Sequence, residues 1–266
     1  VIVDFHSHTN ASDGTLAPAE LVAAMRRRGV SIFSITDHDT LRAYEGLQTH
    51  GARVVPGIEI NTTWRGNDVH VLGYGLPLGP SELAATLVNN RAARTERMHR
   101  MVAQLRGAGY DISEQKVLAE FGSGHAVGRP HVAKALVRAG VVRDVAEAFR
   151  TLLSRDGVGY VPSLHITPAE AVDVVRRSGG VPVLAHPGRL NDESVIDDLA
   201  ALGLVGLEVF YAAHSPSQTA HYRATAARLG LVMTAGSDFH DERWNARGVG
   251  MDVDEDDLKP FLELVA

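Results

Sequence analysis

Short apolar runs alternate with amphipathic stretches along most of the chain. Residues 1–3, 30–36, 54–60, 68–74, 181–185, 206–210 and 231–236 each read as strands, rich in Val, Ile and Leu. Between them, residues 19–28, 167–177, 194–201 and 217–229 carry helical periodicity, with Pro18 and Pro168 at helix starts and Gly29 at an end. This amounts to about seven strand–helix units, the arithmetic of a barrel or near-barrel rather than of a sandwich or a bundle. From residue 80 to about 164 the pattern changes. A long helix over 81–105 is followed by shorter helical runs near 113–120, 130–139 and 145–153, with no convincing strand. The expected organisation is a barrel domain, residues 1–79 and 165–266, carrying a helical subdomain, residues 80–164, as an insertion.

The polar residues that interrupt this pattern are of one chemical kind and fall where the strands end. They are His6 and His8, Asp13, Asp37 and His38, Glu59, His70, His186, and Asp238 with His240. Strand alternation sets His6 and His8 on one face, with Asp4 behind them and Phe5 on the other. A lone His-x-His is more often two solvated histidines. The recurrence of His, Asp and Glu at later strand ends favours an active site, because barrel enzymes build theirs on that rim. His50, His99, His125, His131, His165, His214 and His221 fall on helices and loops, and most read as ordinary histidines.

Composition narrows the chemistry. The 266 residues hold 13 histidines, three lysines and no cysteine, with a formal charge of -6. Thiolate ligands, disulfides and a cysteine nucleophile are excluded together. The longest basic run is Arg26-Arg27-Arg28, too little to grip long duplex nucleic acid. No apolar run reaches the roughly 20 residues of a membrane-spanning helix. Cytoplasm is the expected compartment, although a chain beginning at Val1 leaves a trimmed leader open. Imidazoles and carboxylates suit Zn, Mn, Fe or Ni, and the donors exceed what one ion needs, so a multinuclear site is expected. Three divalent ions against the carboxylates of Asp13, Glu59 and Asp238 would leave a net charge near +3, a natural host for phosphate.

The ordered motifs Asp4-Phe5-His6-Ser7-His8-Thr9, Ser12-Asp13-Gly14-Thr15, Thr36-Asp37-His38-Asp39-Thr40, Gly57-Ile58-Glu59-Ile60, His70, Ala185-His186-Pro187 and Gly236-Ser237-Asp238-Phe239-His240 resemble the polymerase and histidinol phosphatase (PHP) family. That resemblance implies an α/β fold, a distorted (βα)7 barrel of PHP/amidohydrolase type, with three divalent ions. Mn2+ is the first expectation, with Zn2+ or Fe2+ as alternatives. It further implies one ion on His6, His8, Glu59 and Asp238, a second on Glu59, His70 and His186, and a third on Asp13, His38 and His240. Some members carry His where this chain has Asp13. Asp37 and Asp39 are expected behind the ligands, where carboxylates orient ligating histidines; helix capping is an equal alternative for Asp39.

Within the family, the length, Ser-Asp-Gly-Thr, Gly128-Arg129-Pro130-His131 and the inserted helices resemble the TrpH-like branch. The resemblance implies hydrolysis of nucleotide 3',5'-bisphosphates and 5'-to-3' trimming of short RNA, by attack of a metal-bound hydroxide. Asp13, Glu59, Asp238 and His240 are then the expected catalytic residues. Arg129, Lys134, His131 and His214 are expected to bind substrate, since a helix opening at Pro130 between Arg129 and Lys134 can hold a second phosphate. The expected partner is a small phosphorylated molecule, a nucleotide or short RNA, with no membrane and no protein partner. Competing readings are a histidinol-phosphate-type phosphatase, a C–N amidohydrolase and a non-enzymatic metal- or nucleotide-binding module. Arg91, Arg94, Arg97 and Arg100 form an i, i+3 stripe that reads more readily as a solvated or salt-bridged face than as an RNA track. Glu208 ends a strand without an assigned partner.

Overall fold

The computed structural model describes residues 1–121, 127–162, 165–243, 245 and 247–266; His125 lies outside them. In chain order the strands are β1 (Ile2–Asp4), β2 (Ile32–Phe33), β3 (Arg53–Val54), β4 (Gly57–Trp64), β5 (Asn67–Tyr74), β6 (Val181–Leu184), β7 (Gly206–Tyr211), β8 (Val232–Gly236) and β9 (Met251–Asp252). They form a four-stranded sheet, β3-β2-β1-β9, and a five-stranded sheet, β4-β5-β6-β7-β8. Both are mixed: β9 runs antiparallel to β1, and β5 runs antiparallel to both β4 and β6. The fold is thus α/β, but seven uniform strand–helix units closing one barrel are not what the strands form.

Two local causes account for the difference. The run expected as one strand over 54–60 divides at Pro56, which has no N–H to offer a ladder, so β3 ends in one sheet and β4 begins in the other. β4 and β5 then pair as a hairpin through Arg65 and Gly66, with φ of 48° and 75°, the conformation that matches strand twist.

Backbone hydrogen bonds beyond the regular strands stitch the sheets together. Phe5 N donates to Ala235 O, Asp238 N to His6 O and His8 N to Phe239 O, each at 2.8 Å, while Asp39 N donates to Glu59 O at 2.9 Å. These junctions bring His6, His8, Glu59 and Asp238 together. Alternation along the first strand sends Phe5 the other way, edge-on to Tyr74 and Phe261 in the main core.

The helices are α1 (Pro18–Arg28), α2 (Glu82–Gly107), α3 (Glu114–Phe121), α4 (Arg129–Arg138), α5 (Val145–Arg150), α6 (Pro168–Arg177), α7 (Ser194–Ala201), α8 (Pro216–Leu229) and α9 (Glu255–Leu264). Ser81 caps α2, its hydroxyl accepting from Ala84 N at 3.1 Å. α5 stops three residues short of its expected end, where Thr151 leaves helical geometry at φ -118° and ψ -87°. Met98, Met101, Val102 and Leu105 of α2 bury against Val132 and Leu136 of α4 and Ala148 of α5, in an apolar cluster separate from the main core. No helix among the described residues is long and apolar enough to cross a membrane.

Candidate metal centre

Nine side chains meet at the junction of the sheets. Glu59 is central: its Oε1 lies 2.7 Å from His70 Nδ1 and 3.0 Å from His186 Nε2, and its Oε2 lies 3.2–3.3 Å from ring nitrogens of His6, His8 and His38. Asp238 Oδ1 sits 3.3 Å from the Nε2 atoms of both His6 and His8. Asp13 faces His240 Nε2 at 3.3 Å and His38 Nε2 at 3.7 Å. Three overlapping groups bring their donor atoms within 4.8 Å of one another: His6, His8, Glu59 and Asp238; His8, Asp13, His38 and His240; and His38, Glu59 and His70. His186 stands beside the last group, 3.2 Å from His70 Nδ1.

A ring of buried polar groups aims these donors. Glu208 accepts from His6 Nδ1 at 2.9 Å and from His186 N at 2.6 Å, which leaves His6 Nε2 as a bare lone pair pointing into the cluster. Sequence reasoning left this residue without a role. A carboxylate in the middle of an otherwise apolar strand was the available signal. His240 Nδ1 donates to Asp238 O at 2.9 Å, turning its Nε2 toward Asp13. Asp37 accepts from Thr9 N, Thr9 Oγ1 and Ser12 Oγ, fixing the loop between His8 and Asp13. Asp39 caps no helix; it is buried and accepts from Asn61, Asn90 and Arg94. His186 at φ 27° and Asp238 at φ 53° are held in the left-handed region, a strained backbone that functional sites often retain.

The cluster calls for positive charge. Burial would favour neutral Glu59, yet His38, His70 and His6 hold its carboxyl well below the ordinary range. Burial would likewise favour a neutral His8, yet Asp238, Glu59 and Asp13 push it up to about 10. Three buried atoms, His8 Nδ1, Asp13 Oδ2 and Glu59 Oε2, have no hydrogen-bond partner. Buried unpaired acceptors are costly in a folded protein, and a cation satisfies them. The donor set therefore fits several divalent metal ions.

A cavity of about 680 Å3 is lined by Asp13, His38, Glu59, His70, His186, Asp238 and His240. It is lined as well by Arg94, Arg97, Met98 and Met101 of α2, Arg129 of α4, Phe149 of α5, and Asp68 of β5. Arg129 Nη2 pairs with Asp68 Oδ2 at 2.6 Å, and Arg97 Nη1 approaches Asp68 Oδ1 at 3.5 Å. Of the two expected readings of the α2 arginine stripe, the salt-bridged face holds at its centre: Arg94 and Arg97 are buried, line the cavity and pair with Asp39 and Asp68, each at 3.5 Å, whereas Arg100 is exposed.

Lys134, His131 and His214, also expected to bind substrate, do not line this cavity. Lys134 Nζ donates to the backbone O of Asp13 at 3.2 Å, which ties α4 to the metal-side loop. His131 Nδ1 accepts from Gly128 N at 3.0 Å and so fixes the turn that opens α4. Both ring nitrogens of His214 are engaged by backbone, with Gly188 N at 3.1 Å and Val209 O at 3.0 Å, and it does not line this cavity. Arg189 does line it, and reaches Asp238 Oδ2 at 3.1 Å.

Burial lowers the His131 pKa to about 4, against the attraction of Asp13. A histidine depressed in the folded state binds fewer protons there than in the unfolded chain. Its contribution is complete above pH 6.5 and drains away as pH falls toward 4. Lowering pH from 7.5 to 5 should therefore cost about 2 kcal/mol through this group. Denaturant unfolding at both pH values should show a shallower pH dependence for His131→Gln than for the unaltered chain, and equal dependences would refute the assignment.

With this geometry established, similarity to known proteins is informative. A 3',5'-nucleoside bisphosphate phosphatase of Chromobacterium violaceum is 33% identical, over 97% of this chain and 93% of that protein. The 5'-3' exoribonuclease Rnm of Escherichia coli is 34% identical, over 90% of this chain and 85% of that protein. A solved structure described as an amidohydrolase from Chromobacterium violaceum, with bound sulfate and no metal, is 30% identical and superposes with a TM-score of 0.88, covering 95% of this chain and 92% of that one. The PHP domain model matches residues 4–155, a span that runs from behind the first two histidines through the arginine-bearing wall of the cavity. Over more than half of its length, and with relatives matched nearly end to end, the chain belongs to the PHP family.

Proposed function

We propose that this chain is a metal-dependent phosphoesterase that removes the 3'-phosphate of nucleoside 3',5'-bisphosphates to give the 5'-nucleotide, and that the same geometry trims short RNA from its 5' end. The observation that carries the reading is a single cavity lined both by metal-type donors and by Arg97 and Arg129. A bisphosphate offers one phosphate to each of the two groups. The activities named for the Chromobacterium violaceum and Escherichia coli relatives support this choice over a histidinol-phosphate-type phosphatase.

Three ions, Mn2+ first among the candidates, would be held by His6, His8, Glu59 and Asp238; by Glu59, His70 and His186; and by Asp13, His38 and His240. When bound, such ions polarise phosphate oxygens and acidify water toward neutrality, so no protein nucleophile is needed. The chain's own part is orientation and enclosure. Glu208 and the Asp238 carbonyl fix the His6 and His240 rings, and burial of the donors keeps bulk water from competing. Arg129 and Arg97 are the contacts for the second phosphate, released from Asp68 in exchange for the ligand. Lys134 and His131 support those contacts by fixing the Asp13 loop and the turn before α4.

We read the two stitched sheets as the α/β framework of PHP/amidohydrolase type, supported by the junctions at Ser7–Phe239 and His38–Glu59. Residues 80–164 are its inserted helical subdomain, a division supported by their separate apolar cluster.

Arg129→Ala, assayed side by side on a 3',5'-bisphosphate and on the 3'-monophosphate, tests the second-phosphate contact. Charge-assisted contacts to phosphate contribute about 1.5–3 kcal/mol, so kcat/KM for the bisphosphate should fall roughly 10- to 150-fold while the monophosphate changes little. Equal falls would make a plain monoester phosphatase the better reading.

A further inference from the structure

Asp39 is heavily gripped behind the metal-type donors. Its φ is 52°, and its side chain is fully buried. Oδ1 accepts from Asn61 N at 3.2 Å and Asn90 Nδ2 at 3.1 Å; Oδ2 accepts from Asn61 Nδ2 at 2.7 Å and Arg94 Nη1 at 3.5 Å. Arg91 Nη1 takes its carbonyl at 2.7 Å. Asn61 Nδ2, which donates to Asp39 Oδ2, also lies 3.1 Å from His38 Nδ1, so Asp39 fixes the Asn61 amide and the amide in turn backs the His38 ring.

Arg94 connects this chain of contacts to the turn before Arg129. Its Nε donates to Val127 O at 2.7 Å, and its guanidinium lies against Gly128, where an added Cβ would collide with Nη2. Gly128 has extended geometry, φ -149°, that any residue adopts; glycine is needed there only for the space the guanidinium occupies. Val127 and Gly128 lead directly into Arg129. One buried planar fork thus holds both the turn that presents Arg129 and the carboxylate that positions His38.

We propose that Arg94 is a positioning residue that locks the substrate-side turn 127–130 and the metal-side chain Asp39–Asn61–His38 into one unit. Only a guanidinium reaches both partners in fixed geometry; a lysine ammonium offers charge without the fork. The inference rests on the metal-centre reading above.

The test is titration of the metal-stripped full chain with Mn2+, followed by calorimetry. Disturbing a residue behind a metal ligand typically costs 10- to 100-fold in metal affinity, so Arg94→Lys should weaken one binding step by about that factor and leave the others near their original values. The double variant Arg94→Lys with Asp39→Asn should be no weaker than the worse single variant, because both act through His38. Should Arg94→Lys fail to fold, Gly128→Ala, which displaces the same guanidinium while keeping its charge, should show the same selective loss. Unchanged affinities in the variant that folds, or strictly additive losses in the double variant, would overturn the proposal while the metal reading stands. Failure of the unaltered chain to take up Mn2+, Zn2+ or Fe2+ would overturn the metal reading and this inference with it.

Discussion

Glu59→Gln should lose bound metal at two positions together and lower kcat by on the order of 10^3-fold or more. The carboxylate is almost fully buried and faces five imidazoles: His70 and His186 through Oε1, and His6, His8 and His38 through Oε2. Glutamine keeps the shape but offers one acceptor oxygen in place of two, and its amide hydrogens turn toward ring nitrogens that need to remain lone pairs. Elemental analysis of the purified variant together with turnover measures both effects. Full metal content with near-normal kcat would show that Glu59 bridges nothing.

Gly236→Ala should be nearly as damaging, for a steric reason. An added Cβ would land on His6 Cβ and on Glu208 Oε1, two residues with no exposed surface. The flanking backbone pairs, Phe5 N to Ala235 O and Asp238 N to His6 O, hold β8 against the first strand and prevent easy separation. Overpacking of this kind costs about 1–3 kcal/mol, occasionally more. Displacing Glu208 also frees the His6 ring, with a further 10- to 100-fold loss in metal affinity. The denaturant midpoint of the metal-stripped variant reads the first effect, and Mn2+ titration reads the second. Unchanged values in both would mean that β8 can yield at this point.

Most of the metal-type cluster was legible because two independent patterns converge on it. Apolar runs mark strand ends, and only a few residue types can serve as ligands; His6, His186 and Asp238 satisfy both conditions, whereas Glu59 and His70, expected at strand ends, lie within β4 and β5. The helices of 80–164 were legible for a similar reason: Ser81 caps α2, and the apolar positions Met98, Met101, Val102 and Leu105 keep helical spacing. Sheet topology was not legible. Arg65-Gly66 lacks the Asn-Gly or Asp-Gly signal of a tight hairpin, and the division at Pro56 depends on which sheet each half can pair with. Periodicity also cannot say what an arginine stripe faces. Arg94 and Arg97 repeat like a solvated or a salt-bridged surface, and only the structure shows that they are buried, paired with Asp39 and Asp68, and line the cavity. Lys134 and His214 were placed by their nearness in sequence to a helix start and a strand end. In space their polar atoms are engaged by the Asp13 carbonyl and by the backbone of Gly188 and Val209.

The most direct test of the phosphoesterase reading is product analysis on one substrate. The metal-stripped chain, offered a nucleoside 3',5'-bisphosphate, should release no inorganic phosphate; reloaded with Mn2+, it should yield phosphate and the nucleoside 5'-monophosphate in equal amounts. Phosphate release at the same rate by the stripped chain, or none by the reloaded chain under any divalent ion, would contradict it.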